Sequence, residues 1–173
     1  VAVDRWALSP SHNNSTAVLM PQFAATVDDV DRMDASAFHL GDQEARLVDP
    51  QQRMCLSNTA HMLYSEELDD DSLDVLGMYV GLSWTTYANL LPPDGQSSSL
   101  TSSPLSSTGI AMSVAAGRLA FRFGAHGPAL AVDTACSSSL VCAHLAKARQ
   151  LSATVHGVNV FLTPEISRMY NSA

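Results

Sequence analysis

The sequence predicts a layered α/β fold, because apolar runs of strand length alternate along the chain with longer segments of helical pattern. Three observations carry this prediction. A glycine-flanked apolar run spans residues 76–82, a short apolar run spans 128–132, and a helical pattern follows the small-residue turn after that second run. No internal repeat is visible.

The first elements can be placed from their terminal residues. Residues 1–32 are loop-like in composition. Asp49 followed by Pro50 is typical of a helix start, because an acidic N-cap precedes proline at the first helical position. We expect this helix to run to about Tyr64 and the acidic segment 66–71 to form a solvated turn. The residues expected to be buried on the helix are Met54, Leu56, Ala60 and Leu63.

The middle of the chain is predicted as a strand, a loop and a second helix. Gly77 and Gly81 in the strand at 76–82 indicate that another backbone approaches closely. Residues 92–107 are rich in Ser, Pro and Gly and predict a loop without regular structure. A helix is expected over 108–120, and a last strand over 156–162.

The most informative part of the chain is the turn from Asp133 to Ser139, which carries one thiol, Cys136, among small residues. Residues 128–132 predict a short buried strand before it. The helix predicted after it has larger apolar residues at helical spacing, namely Leu140, Val141, Leu145, Ala148 and Leu151. Near a helix N-terminus, free N–H groups and the macrodipole stabilise a thiolate and an oxyanion. The chemistry predicted is acyl transfer through a thioester on Cys136.

The other candidate residues favour structural roles. Cys55 and Cys142 are expected to be buried small hydrophobes. His144 lies eight residues along the helix, about 12 Å from Cys136, too far for a hydrogen bond, and is expected in the core or an interface. His126 lies beyond the far end of the strand. Cys142 and His144 lack a second ligand pair, so we expect no metal.

Composition excludes several classes of function. Hydrophobic residues make up 46% and charged residues 15% of the chain, as in globular proteins. A net charge of −8 argues against a nucleic-acid or anionic-membrane surface, since phosphate binding needs clustered Lys and Arg. Arg118 and Arg122 are expected to pair with acidic residues inside the domain and not with a phosphate. Three scattered cysteines indicate a reducing compartment.

The turn around Cys136 resembles the active-site signature of β-ketoacyl synthases of the polyketide synthase and type I fatty acid synthase kind. Further blocks resemble this family in the family's order, at 33–38 with 49–53, at 77–81, at 113–121 with 124–128, and at 157–160 with 162–165. The resemblance implies a thiolase-like fold, of which the chain would supply most of the first half. It also implies a homodimer with the strand before Cys136 near the two-fold axis.

The resemblance further implies Cys136 as the acyl acceptor. Its implied partners are an acyl carrier protein, whose phosphopantetheine arm brings the substrate, and malonyl-type thioesters; no cofactor would be bound directly. The family's two histidine motifs, His-Gly-Thr-Gly-Thr and Asn-Ile-Gly-His, do not occur here. Residues 1–173 are therefore interpreted as a partial β-ketoacyl synthase N-terminal domain, expected to be inactive alone and to be cytoplasmic or organellar.

Two alternatives stay open from the sequence. A non-extending ketosynthase-like domain would only dock or transfer carrier-bound acyl chains. A cysteine-dependent hydrolase of another fold would need a histidine within reach of Cys136, and none of the six histidines is well placed in the sequence.

Overall fold

A computed structural model of the chain describes residues 27–66, 69–91, 104–149, 152–163, 166, 167 and 169. It divides the chain into two compact units, one of residues 1–29 with 161–173 and the other of Val30–Val160. All helices and strands considered below lie in the second unit. The predicted loop at 1–32 lies outside the described residues up to position 26, and residues 27–41 form turns without helix or strand.

The second unit alternates helices and strands, as the sequence predicts. Among the residues that the structure describes in it, three strands of four or five residues each are separated by helices. The helices are α1 (Asp42–Leu47), α2 (Pro50–Glu66), α3 (Asp70–Asp74), α4 (Pro104–Ile110), α5 (Val114–Phe123) and α6 (Ser138–Arg149). The strands are β1 (Gly77–Gly81), β2 (Ala129–Val132) and β3 (Ala153–Gly157), and short 3-10 turns cover Tyr87–Leu90 and Ala135–Ser137.

The strands form a parallel sheet in the order β2-β1-β3. Tyr79 at the middle of β1 is opposite Leu130 on one side and Val155 on the other. Since all strands point the same way, the loops that follow them meet at one edge of the sheet. This edge, formed by the carboxyl ends of the strands, carries the turn with Cys136.

Helices cover both faces of the sheet. Met78 and Val80 of β1 point into a core that includes α2 and α5. Tyr79 points to the opposite face, where it packs against Cys142 and Ala146 of α6. Because successive strand residues alternate between faces, a central strand covered on both sides is wholly buried, as all five residues of β1 are.

The strand predicted before Cys136 is present as β2, but the prediction that this strand is buried is wrong. Ala129 and Leu130 of β2 are exposed, and Ala131 and Val132 are half-buried. The reason is the strand order, which places β2 at an edge of the sheet where β1 is its only neighbour among the described strands.

Three element boundaries differ from the prediction. The helix expected over 108–120 is two helices, α4 and α5, separated at residues 111–113; α4 begins at Pro104, inside the predicted loop, whose residues 92–103 lie outside the described part. The strand expected over 156–162 is β3, which begins at Ala153 and ends at Gly157. The acidic turn is partly the short helix α3, whose N-cap Asp69 accepts a hydrogen bond from Ser72 N–H.

The buried face of α2 is more polar than predicted. Asp49 caps the helix as expected, accepting the Gln51 N–H at 2.8 Å, and Leu56 is buried. Met54, Ala60 and Leu63 are only half-buried, whereas Gln51, Gln52, Arg53, Cys55 and Thr59 are buried. Burial of polar side chains requires hydrogen-bond partners, so this face connects α2 to neighbouring loops as well as to the core.

Candidate active site

The turn after β2 presents Cys136 at the start of a helix. β2 ends at Val132, the 3-10 turn Ala135–Ser137 contains the cysteine, and α6 continues from Ser138 without a break. The thiol is free and its residue is exposed. Ala135, directly before it, has φ of 54°, a left-handed conformation that costs an L-residue about 1–2 kcal/mol. Such a turn is kept only where surrounding contacts hold it.

Side chains of the turn supply many of these contacts. Asp133 Oδ1 accepts the Ala135 N–H at 3.0 Å, and Ser138 Oγ accepts the Thr134 N–H at 2.8 Å. The Ser138 hydroxyl donates in turn to the Ala135 carbonyl at 2.7 Å. Ser137 Oγ lies 2.8 Å from the carbonyl oxygen of Thr134 and donates to it. The small polar residues around Cys136 therefore close the turn on themselves.

Within the described residues, no hydrogen bond is assigned to the backbone N–H of Cys136 or to its Sγ. The N–H groups of Ser137 and Ser138 bond back to the carbonyls of Thr134 and Ala135. The Cys136 N–H lies one residue before the first N–H that bonds back in this way, so it is one of the free N–H groups found at every helix start. A free N–H beside a thiol is the arrangement that could stabilise an oxyanion formed when sulfur attacks a carbonyl.

Two glycines let α6 begin directly against the sheet. A Cβ on Gly81, the last residue of β1, would lie 2.7 Å from the backbone C of Ser138 and the N of Ser139. A Cβ on Gly157, the last residue of β3, would lie 2.5 Å from the Ser139 Cβ. The close backbone approach predicted from Gly81 is confirmed, and the helix start next to Cys136 lies against the ends of two strands. The same prediction for Gly77 is wrong, because the atom closest to a Cβ there would be in the Tyr79 side chain, at 2.7 Å.

The loop after β1 also contacts this turn. Ser83 Oγ donates to the Ala135 carbonyl at 3.3 Å and lies 3.4 Å from Ser138 Oγ. The next residues of the loop bond to the start of α2: the Trp84 carbonyl accepts from Gln51 Nε2 at 2.7 Å, and the Thr85 hydroxyl donates to the Asp49 carboxylate. Burial raises the pKa of Asp49, while the hydrogen bonds from Thr85 and Gln51 act in the opposite direction.

Gln51 also reaches the segment after β3, since its Oε1 accepts the Val160 N–H at 2.9 Å. This fully buried side chain thus joins the segments that leave two strands at the edge where Cys136 lies. The sequence did not identify Ser83 or Gln51 as site residues. The available signal was the Asp-Pro-Gln-Gln-Arg block itself, in which polar residues occupy the positions that a core helix would give to apolar ones.

The remaining cysteines, and the histidines that the structure describes, lie apart from the turn; His12 is outside the described residues. Cys55 and Cys142 are buried, as predicted, and burial together with the Asp49 charge raises the pKa of Cys55 to about 12. His144 is exposed on α6, so of its two predicted places the core is wrong, and a place in an interface stays a prediction. Its position on the helix face turned to solvent, away from Cys142, is the reason. His126 pairs with Asp74 at 2.6 Å at the amino ends of the strands, opposite Cys136, as predicted.

The helix-forming pattern of α6 predicted the helix but not its buried face. Leu140 is 73% exposed and Ala148 is exposed, whereas Cys142 and Ala146 are buried. Small residues face β1 because the bulky Tyr79 side chain fills the space between helix and strand. Leu140 therefore lies outside the core of this unit, whereas the half-buried Leu145 packs against Tyr79, Cys142 and Ala146.

The arginines on α5 have protein partners, as predicted for Arg118. It pairs with Glu44 at 2.8 Å and donates to Gln52 at 2.9 Å. Arg122 donates to the Ala37 carbonyl instead of an acidic side chain. Among the described residues, no His, Cys, Asp and Glu side chains group into a metal site of three or more. In the same part of the chain, no helix has both the length and the apolar character that crossing a bilayer requires.

The comparison with known families decides the classification. The model of the β-ketoacyl synthase N-terminal domain matches residues 1–173, the whole chain. The chain belongs to the β-ketoacyl synthase family. The resemblance seen in the sequence is confirmed, and so is the thiolase-like fold class of this N-terminal part.

Relatives of this family member are polyketide synthases. A spectinabilin polyketide synthase system protein, NorC of Streptomyces orinoci, is 40% identical over 145 residues, which are 79% of this chain and 6% of that protein. The reducing polyketide synthase ppsB of Aspergillus oryzae is 36% identical over 161 residues, 89% of this chain and 6% of that protein. The chain thus spans a small part of the length of these relatives.

Solved ketosynthases share the fold. The ketosynthase from module 6 of the bacillaene synthase from Bacillus subtilis 168 matches with a TM-score of 0.66 and 30% identity, covering 85% of this chain and 24% of that one. The oxazolomycin ketosynthase domain OzmH KS7 of Streptomyces albus matches with a TM-score of 0.68 and 28% identity, covering 84% and 26%.

Proposed function

We propose that Cys136 of this β-ketoacyl synthase accepts an acyl group as a thioester and that the whole protein extends it by decarboxylative condensation. The observation that carries the proposal is the exposed thiol in the 3-10 turn that leads into α6, where the backbone N–H of the same residue is free of hydrogen bonds within the described residues. Family membership supports the same chemistry. Residues 1–173 are proposed as the N-terminal part of the condensing domain.

In the first step, the Cys136 Sγ attacks the carbonyl carbon of a carrier-bound thioester. A new carbon–sulfur bond forms, the bond to the carrier sulfur breaks, and the proton of the cysteine passes to the departing thiol. The negative charge that develops on the carbonyl oxygen is stabilised by backbone N–H groups at the helix start. The donor is proposed to be the phosphopantetheine arm of an acyl carrier protein.

In the second step, a malonyl-type thioester loses carbon dioxide and the carbanion left behind attacks the acyl carbonyl on Cys136. A carbon–carbon bond forms and the cysteine leaves as a thiolate. The histidines that the family uses for this step belong to motifs that residues 1–173 do not contain. The condensation, the carrier protein and a homodimer are therefore proposals about the whole protein.

Acylation is tested by incubating the whole protein with an acyl thioester and mapping the peptide that gains the acyl mass. We expect one acyl group on Cys136, none in Cys136→Ala, and unchanged acylation in Cys142→Ala, which removes the buried thiol of the same helix. Acyl transfer to another residue in Cys136→Ala would contradict the assignment.

Extension is tested separately by adding a malonyl carrier thioester to the acylated protein. Release of carbon dioxide with formation of a β-ketoacyl product is expected. A protein that is acylated but never forms this product would be a non-extending ketosynthase-like domain. No specific observation on the described residues favours that function.

A further inference from the structure

The loop after β1 is bonded to the Cys136 turn at its most strained residue. Ala135 has the left-handed backbone conformation, and its carbonyl oxygen accepts hydrogen bonds from Ser83 Oγ at 3.3 Å and Ser138 Oγ at 2.7 Å. Ser138 belongs to the turn itself, so Ser83 is the contact that comes from a separate loop, the one after β1. A left-handed alanine relaxes to a common conformation unless such contacts oppose it.

Ser83 is itself held in place from both sides. Directly before it, the Leu82 N–H donates to the Val132 carbonyl at 3.1 Å, which ties the loop to the end of β2. Directly after it, the Trp84 carbonyl accepts from Gln51 and the Thr85 hydroxyl donates to Asp49. The hydroxyl of Ser83 is thus carried by a loop that the buried start of α2 fixes to the sheet.

We infer that Ser83 is a positioning residue for Cys136, which it orients through the carbonyl of Ala135, and that Asp49 and Gln51 hold the loop that carries it. The inference deepens the proposed acyl transfer and rests on it for its catalytic consequence. Loss of the Ser83 hydroxyl allows the turn to relax, so the thiol and the free N–H of Cys136 lose their alignment at the helix start.

The test compares two reactions of Cys136 in the whole protein, alkylation by iodoacetamide and single-turnover acylation by an acyl thioester. Ser83→Ala is expected to slow both by roughly five-fold, the factor that one neutral hydrogen bond contributes to an equilibrium. Ser83→Thr, which keeps the hydroxyl, restores both rates. Ser65→Ala serves as the matched control, because the Ser65 hydroxyl also donates to a carbonyl, that of Met62 on the exposed end of α2.

A second variant tests the anchor of the loop. Thr85→Val removes the hydroxyl that Asp49 accepts while keeping the shape of the side chain, and is expected to slow the same reactions. If Thr85 acts through Ser83, the double variant Ser83→Ala with Thr85→Val is no slower than Ser83→Ala alone.

The outcomes separate this inference from the proposed function. Unchanged rates in Ser83→Ala, or slow rates that Ser83→Thr does not restore, overturn the positioning role even if the wild type is acylated. A wild type that is alkylated but never acylated refutes the acyl transfer, while slower alkylation in Ser83→Ala still supports the positioning role. All rates are measured well below the melting temperature of each variant, so that a loss of stability alone does not change them.

Discussion

At the scale of the residue, the three cysteines differ in exposure: one thiol is accessible to solvent and two are not. Cys136 is exposed, whereas Cys55 and Cys142 are at most 1% exposed. A thiol must reach the reagent and ionise in order to react, and burial opposes both. The difference comes from position: Cys136 is in a turn at the edge of the sheet, and the others face the core.

We expect native protein to react with iodoacetamide at Cys136 alone among these three cysteines. Burial excludes reagent from Cys55 and Cys142, and the pKa of Cys55 is raised to about 12. Peptide mapping after a short exposure checks the site, and the same exposure in denaturant should label all three. Native labelling of Cys55 at a rate similar to Cys136 would show that α2 does not pack as described.

The buried side chain of His156 makes the free energy of unfolding depend on pH. It lies on β3, bonded to Thr59 Oγ1 at 2.9 Å, and burial lowers its pKa below the usual 6.5. Between pH 6.5 and this lowered pKa, His156 is protonated in the unfolded chain but not in the folded one. The free energy of unfolding therefore falls as the pH decreases through this window, by at most about 1.4 kcal/mol per pH unit. Above it the contribution is constant.

His156→Gln should therefore make the free energy of unfolding less dependent on pH in this acidic window, whatever its effect on absolute stability. Denaturant unfolding at several pH values measures the slope. His61→Gln is the control, since it makes the same substitution at an exposed position on α2. Equal slopes in wild type and His156→Gln would mean that His156 titrates as it does in the unfolded chain.

At the scale of the element, the start of α6 depends on glycine at the end of β1. No side chain fits at Gly81, because its Cβ would lie within 2.7 Å of the Ser138 and Ser139 backbones. Backbone cannot move aside as a flexible side chain can, so a methyl group there displaces the helix start that carries Cys136.

We predict that Gly81→Ala lowers the free energy of unfolding by about 1–3 kcal/mol and slows acylation of Cys136. Gly117→Ala is the matched control: Gly117 lies within α5, nothing lies within 4 Å of its Cβ position, and alanine favours the helix by roughly 0.5–1 kcal/mol. Denaturant unfolding and the acylation assay measure the two effects. A neutral Gly81→Ala would argue against the close contact of β1 with α6.

The elements also show which features a sequence pattern can predict. The Asp49-Pro50 cap, the strand β1 and the helix after Cys136 were predicted because each depends on local preferences. The polar buried face of α2 and the division of 108–120 into α4 and α5 were not. They depend on partners far along the chain, such as Trp84, Val160 and the carbonyl of Gly109, which Gln51 and Gln52 bind.

At the scale of the whole molecule, the Val30–Val160 unit exposes large apolar side chains on α5 and α6. Leu140 on α6 is 73% exposed and Phe121 on α5 is 89% exposed. The outer edge of β2 pairs with no described strand, and a free strand edge is a template for pairing with another chain. These features support the proposal that the whole protein is a homodimer.

We predict that Ala129→Lys, which places a charge on the exposed edge strand β2, shifts the whole protein from dimer towards monomer. Ala148→Lys makes the same change at an exposed position of α6 and should leave the dimer intact. Light scattering coupled to size exclusion measures the mass of each. A monomeric wild type, or equal masses in all three proteins, would count against pairing at β2.

The pattern of residues along the chain is enough to predict the fold class, the family, the turn that carries Cys136 and the buried state of the other cysteines, because these depend on residues close together in the chain. The packing of the elements is needed to show that β2 is an edge strand, that α6 buries its small residues and exposes Leu140, and that Ser83 contacts the carbonyl of Ala135. Strand order and the contacts between distant loops arise from how the elements pack together. A local pattern records which residues are apolar or polar, but not which neighbour each will meet.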